Sequence, residues 1–157
     1  MIGFPLGANT METKVEECRR AIKDGAHEID MVINIGALKS GKLDYVEEEI
    51  KEVVKVAGDV PVKVIIECDL LEDDEKVGAT EACIKARAYM VKTSTGFVKD
   101  GKGATVEDVE LMKKTIGKHK LEIKASAGIR DCEKARALVD AGATRLGTSA
   151  GVAIVKG

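Results

Sequence analysis

Three lysines carry the chemistry that this sequence could do. Lys92 ends the apolar run Tyr89-Met90-Val91 and is followed at once by the polar turn Thr93-Ser94-Thr95-Gly96. Leaving water penalises an ammonium, so a lysine at the end of a buried strand is pushed toward its neutral form. A neutral amine can attack a carbonyl and form a Schiff base. The same stretch also suits a lysine whose stem is buried while its head reaches water. Lys63 in VPVKVIIECD and Lys124 in LEIKASAGIR lie in apolar strands as well. If Lys124 lies beside Lys92, the two cannot both hold charge cheaply, and repulsion lowers one pKa. If these lysines face solvent on a sheet edge, the pattern carries no chemistry. Asp30 in HEIDMVINIG is the candidate partner, either as a proton-transfer carboxylate or as a structural ion pair with Lys63 or Lys124.

Two turns have the composition of an anion cradle. SAGIRD (126–131) and GTSAG (147–151) each join small residues to a helix start. Backbone N–H groups exposed in such turns suit a phosphate. Each turn, taken alone, is equally a tight connection between a strand and a helix.

Strands alternating with helices must position these groups. A scrap of strand at Ile2–Phe4 precedes a helix capped by Asn9 or Thr10 and stopped at Gly25. A strand over HEIDMVINIG follows, then a helix from Leu43 to about Ala57 with apolar residues at Val46, Ile50, Val53 and Val54, close to a 3.6 period. The strand VPVKVIIECD, a helix over about 73–86 and the Lys92 strand come next. Thr105 with Asp108 resembles a capping box, and that helix ends near Gly117. LEIKASAGIR gives the fifth strand, Asp131 caps a helix ending at Ala141-Gly142, and TRLGTSAGV supplies the last strand, its turn and a short helical start. On one strand face alternation groups Lys63, Ile65 and Glu67. A weak repeat runs through the chain, with a helix stop at Gly25, Arg87 and Gly142. It places Asp30, Lys92 and Gly147 five residues past their stops, at one end of a parallel sheet. A left-handed stop at Arg87 would cost about 1 kcal/mol relative to glycine.

Composition bounds the rest. With 157 residues, 45% of them hydrophobic and few aromatic, the chain is expected to form one domain over 1–157 with an aliphatic core. The balance of 25 basic against 27 acidic residues offers no electrostatic case for nucleic acid or an anionic membrane. Cys18, Cys68, Cys83 and Cys132 have no paired spacing, and His27 and His119 sit in no metal-ligand pattern. Neither a disulfide framework nor a metal site is expected, and no cofactor is implied. No apolar run approaches ~18 residues, so a cytoplasmic location is expected.

Together IGFPLGANT, EIDMVINIGALKSG, VKVIIE, MVKTSTGF, IKASAGIR and RLGTSAGVAIV resemble the deoxyribose-phosphate aldolases, in that family's order and over essentially the whole chain. The resemblance implies an α/β chain of the (β/α)8 TIM-barrel family. It also implies a class I aldolase, which cleaves 2-deoxyribose 5-phosphate to glyceraldehyde 3-phosphate and acetaldehyde through a lysine Schiff base. It assigns Lys92 as the Schiff-base lysine, Lys124 as the lysine that perturbs it and Asp30 as the proton relay. It sets Thr95 near the substrate hydroxyls and Gly128, Gly147, Thr148 and Ser149 around the phosphate. Such barrels run to roughly 250 residues with eight strands, whereas six βα units are legible here, so the first two are expected to be absent. Ala127 stands where the family usually has a second glycine, which matters if φ is positive there. An incomplete barrel would expose the strands at Ile2 and Leu146, so a homo-oligomer is expected to cover them. Two other readings stay open: an inactive truncated barrel that only binds phosphate ligands, and a Schiff-base aldolase for another sugar phosphate.

Overall fold

The computed structural model describes all of residues 1–157. Five strands, β1 (Ile29–Val32), β2 (Val62–Ile65), β3 (Met90–Lys92), β4 (Glu122–Ser126) and β5 (Arg145–Gly147), form one parallel sheet in strictly sequential order. The helices are α1 (Met11–Lys23), α2 (Ile35–Lys39), α3 (Leu43–Ala57), α4 (Asp73–Lys85), α5 (Val106–Ile116), α6 (Cys132–Ala141) and α7 (Gly151–Lys156). A doubly wound sheet reverses its strand order part-way. Here the order never reverses, and α1, α3, α4, α5 and α6 each pack on the next. All crossovers therefore lie on one side, as in an arc of a barrel.

Register decides which residues face the interior. Asp30 pairs with Lys63, Lys63 with Met90, Ile65 with Lys92, Lys92 with Lys124, Lys124 with Arg145 and Ser126 with Gly147. Paired residues share a face, so Asp30 and the three lysines line the inside. The alternate residues Met31, Val64, Val91 and Ile123 are fully buried against the helices. The α3 helix buries Val46, Ile50 and Val53, as its period predicts, and leaves Val54 only partly buried.

Sequence reading placed most helices within a residue or two and overextended the strands. HEIDMVINIG yields only four strand residues, because the Asn34 side chain accepts the Ala37 N–H at 2.9 Å and starts α2. VPVKVIIECD likewise ends at Ile65, and a 3-10 turn follows at Cys68–Leu70. The expected strand at Ile2–Phe4 shrinks to a single parallel bridge between Ile2 and Met31. Five strands and a bridge thus replace the six expected. Ile2 is not left uncovered, since it is 1% exposed. Leu146 on the opposite edge is half-buried. Thr10 rather than Asn9 caps α1. Thr105 accepts the Asp108 N–H at 3.1 Å, but Asp108 turns to Lys76, so only half of a capping box forms. All three stops of the repeat are left-handed, with φ of 98° at Gly25, 57° at Arg87 and 124° at Gly142. The four cysteines are free, and no helix is long and apolar enough to cross a membrane.

Candidate active site

Asp30 sits at the centre of the arc and accepts from three amines. Lys63 Nζ lies 2.7 Å from Oδ1, while Lys92 and Lys124 Nζ lie 2.8 and 2.9 Å from Oδ2. A carboxylate has lone pairs enough for all three, but it brings only one charge. Lys63 also meets Glu28 at 2.8 Å, and Glu28 takes Arg145 Nη1 on both oxygens, at 2.7 and 2.9 Å. An alternating ladder therefore crosses the interior from Arg145 through Glu28, Lys63 and Asp30 to Lys92 and Lys124. Both of its outer ends follow from strand alternation, since residue 28 shares a face with Asp30 and residue 145 with Gly147.

Burial leads the causes that pull the Lys92 pKa below an ordinary lysine's; its side chain is 8% exposed. The Asp30 hydrogen bond and charge oppose that pull, and the Lys124 and Lys63 charges add to it. Of the two causes expected from sequence, both act: Lys124 helps, but loss of water dominates. Burial alone would raise the Asp30 carboxyl, but its hydrogen bonds to Lys63, Lys92 and Lys124 prevail and hold it far below the usual carboxylate range. Glu28, bonded to Arg145 and Lys63, is lowered to about 2.

Lys92 opens onto a cavity of about 430 Å³, lined also by Thr95, Lys124, Gly128, Arg130, Gly147, Thr148 and Ser149. Every residue that sequence reading assigned to the site except Asp30 lines this one cavity, and Asp30 lies directly behind it. Gly147 has a steric reason to be glycine. A Cβ there would stand 2.9 Å from Ser126 Cβ and 3.3 Å from Lys124 Cε, so only glycine leaves room for the second lysine. At the far end Ala127 and Gly128 both have φ of 69°, so alanine occupies a left-handed position where glycine would cost less. The N–H groups of Gly128, Thr148 and Ser149 donate to no acceptor in the chain, which leaves them free for an anion. The Thr148 hydroxyl is already engaged, donating to the Ile129 carbonyl at 2.7 Å and accepting from Ala150 N–H at 2.9 Å. Its part is to tie the two turns together. With six residues, α7 adds little dipole to the cradle.

The polar turn after Lys92 is stitched to the end of β4. The Thr93 hydroxyl donates to the Ser126 carbonyl at 3.1 Å and accepts the Ser126 N–H at 3.0 Å, while the Ser126 hydroxyl donates to the Ser94 carbonyl at 2.7 Å. These bonds fix Lys92 and Lys124 relative to each other. A larger cleft of about 580 Å³ between α4 and α5 is a different kind of place. Its half-buried amine, Lys76, is already held between Asp73 at 3.0 Å and Asp108 at 2.8 Å.

A family model for the DeoC/LacD family aldolases matches residues 4–157. The chain belongs to this family. It is 58% identical, over its full length and 70% of the relative's, to a deoxyribose-phosphate aldolase of Staphylococcus carnosus. Among solved structures it superposes on an aldolase named QR15 with a TM-score of 0.92 and 45% identity, covering 99% of this chain and 69% of that one. A second, a deoxyribose-phosphate aldolase of Coccidioides immitis, gives a TM-score of 0.94 at 41% identity over 99% of this chain and 61% of its own. The arc of strands is therefore part of a (β/α)8 barrel. Membership of the family gives the buried amine a reaction class, and Lys92 is the only lysine both depressed and open to the cavity.

Proposed function

We propose that this chain is a class I aldolase that cleaves 2-deoxyribose 5-phosphate to glyceraldehyde 3-phosphate and acetaldehyde, with Lys92 as the nucleophile. One observation carries the reading: three amines share a single half-buried carboxylate, and one of them, with a lowered pKa, opens onto a cavity that ends in free backbone N–H groups. Neutral Lys92 Nζ adds to the aldehyde carbon of the open-chain sugar. Loss of water then gives a protonated Schiff base. The iminium draws the electron pair of the C2–C3 bond, while the C3 hydroxyl loses its proton and becomes the aldehyde of glyceraldehyde 3-phosphate. The enamine left on Lys92 is protonated at C2, and water releases acetaldehyde. Asp30 with Lys124 is the shuttle for these protons, because Asp30 Oδ2 accepts from both Lys92 and Lys124. The turn N–H groups of Gly128, Gly147, Thr148 and Ser149 hold the phosphate, with Thr95 between the two ends. The chain works in the cytosol, and a second copy covers the exposed face of α7, where Val152 and Val155 stand in solvent.

Borohydride reduction in the presence of acetaldehyde tests the core of this reading. A two-carbon adduct on Lys92 in the intact mass and peptide map is the expected result; native protein of unchanged mass would defeat it. Thermal stabilisation by inorganic phosphate without an adduct would point to a barrel that only binds phosphate ligands. An adduct with no turnover of 2-deoxyribose 5-phosphate would point to another sugar phosphate. A clean monomer by light scattering would remove the second copy.

A further inference from the structure

Glu67 is the one buried carboxyl at this site that the reaction above does not use. It follows β2, on the face it shares with Lys63 and Ile65, and is 2% exposed. Its φ of 61° and ψ of 68° put a non-glycine residue in the left-handed region. That conformation is sparsely populated and survives where surrounding contacts enforce it, often at functional sites. The side-chain hydrogen bonds are all with Thr95. Glu67 Oε1 accepts the Thr95 N–H at 3.1 Å, and Oε2 accepts the Thr95 hydroxyl. The same hydroxyl oxygen accepts the Phe97 N–H at 3.0 Å.

A threonine hydroxyl has one proton and two lone pairs. In Thr95 the proton is committed to Glu67 and one lone pair to Phe97, so a single acceptor site remains in the cavity of Lys92 and the phosphate turns. With Glu67 in place, Thr95 can accept from a ligand and cannot donate. Burial raises the Glu67 carboxyl, and the two Thr95 hydrogen bonds oppose that rise.

We propose that Glu67 is a positioning residue that makes Thr95 a one-way acceptor, so that the site selects substrates carrying a hydroxyl donor between the reacting carbon and the phosphate. The inference rests on the aldolase reading and adds a specificity device to the same site. In the synthetic direction the relevant group is the carbon-2 hydroxyl of glyceraldehyde 3-phosphate.

The test compares two acceptors for acetaldehyde: glyceraldehyde 3-phosphate, and 3-oxopropyl phosphate, which has hydrogen in place of that hydroxyl. The readout is the ratio of their kcat/KM values. In Glu67→Gln an amide offers one acceptor where two are needed, and its NH2 group turns the Thr95 hydroxyl around. The preference for the hydroxylated acceptor is expected to fall about tenfold, the scale of one lost hydrogen bond to a substrate. Thr95→Val should lose the preference too, and Glu67→Gln added to Thr95→Val should lose no more. A purely structural Glu67 would slow both acceptors alike and leave the ratio where it was, which overturns the proposal. If Glu67→Gln does not fold, Glu67→Asp withdraws the carboxylate by one methylene and reads the same ratio. An unmodified protein with no borohydride-trapped adduct and no turnover of either acceptor would sink the aldolase reading, and this inference with it. A normal adduct with an unmoved ratio would sink only the role of Glu67.

Discussion

Lys14 and Lys92 are both lysines taken out of water and held by a carboxylate, yet their surroundings lead to opposite uses. Lys14 on α1 and Glu49 on α3 are each 0% exposed and pair one to one at 2.6 Å. Lys14 also donates to the Val32 carbonyl at 2.9 Å, and Glu49 accepts the Asn34 N–H at 2.9 Å. Burial depresses the lysine and raises the glutamate, and the pair's mutual attraction opposes both shifts. Both are fully enclosed, and neither lines the cavity of Lys92. At Asp30 the count is one carboxylate against three amines, and Lys92 faces open space. A lowered lysine pKa therefore does not make a nucleophile by itself. What separates the two regions is the surplus of positive charge and the cavity.

The largest effect is expected from Lys92→Arg. An arginine keeps the charge for Asp30 but is never deprotonated in a protein, so borohydride trapping with acetaldehyde should leave the mass unchanged and turnover should vanish. An adduct that persists at another lysine would move the nucleophile away from Lys92.

Asp30→Asn should come next, with a loss of about 10²- to 10⁴-fold in kcat if the carboxylate shuttles protons. The same variant has a second signature of opposite sign. Asp30 raises the Lys92 pKa against burial, so without it the pH profile of adduct trapping should move to lower pH. Stability should fall as well. The folded carboxyl is depressed, so its stabilisation is complete above the ordinary carboxylate range and is lost as pH falls through the depressed value. Asparagine removes that contribution at every pH, and a urea titration at pH 7 reads the loss.

At the balanced pair the effect belongs to stability. Glu49→Leu leaves Lys14 buried and unpaired, which should cost about 3–5 kcal/mol in a denaturant titration. Adding Lys14→Met should recover part of it. The Val32 carbonyl and Asn34 N–H would still lack their partners, at about 1–3 kcal/mol each. A double variant no better than the single would mean that the charge itself was not the problem.

How far these two regions were legible in the sequence follows from the same physics. The lysine centre was readable because lysines in apolar strands are costly and alternation fixes their face; Lys63, Lys92 and Lys124 stand out in VKVII, YMVK and EIKAS. The Lys14–Glu49 pair was not, because METKVEEC and YVEEEIKEVV read as solvated helix faces, and only α1 packing on α3 brings the two charges together. Alternation put Glu67 on the lysine face, but its tie to Thr95 stayed hidden for a related reason. A glycine would have signalled its left-handed turn, whereas a glutamate there is held by Thr95, 28 residues away. Helix ends carried local caps and stops and were placed closely, while strand ends, set by when neighbouring turns begin, were not.

Lys124→Met sharpens the comparison from the side of surplus charge. Removing Lys124 takes away a repulsion that lowers the Lys92 pKa and leaves Asp30 with one fewer amine to share. Trapping should become several-fold slower at neutral pH, and its profile should move to higher pH, opposite to the shift from Asp30→Asn. Two variants with opposite shifts would establish that charge balance around Lys92 sets its reactivity; a common direction would mean that both merely disturb the fold.

The smallest change is at the surface and serves as the control for that last distinction. Arg87 ends α4 with φ of 57° and is exposed, while the equivalent stops are Gly25 and Gly142. A left-handed arginine carries a steric cost of about 1–2 kcal/mol, against which glycine loses about 0.4–1 kcal/mol through the freedom of the unfolded chain. Arg87→Gly should therefore stabilise the chain by roughly 0.5–1 kcal/mol, seen as a higher urea midpoint at unchanged slope. Arg87 has no contact with the Asp30 cluster, so the trapping profile should stay where it is. Stability then moves alone, as it moves with Glu49, and a profile that followed it would mean that trapping reports the firmness of the whole barrel instead of the charges beside Lys92.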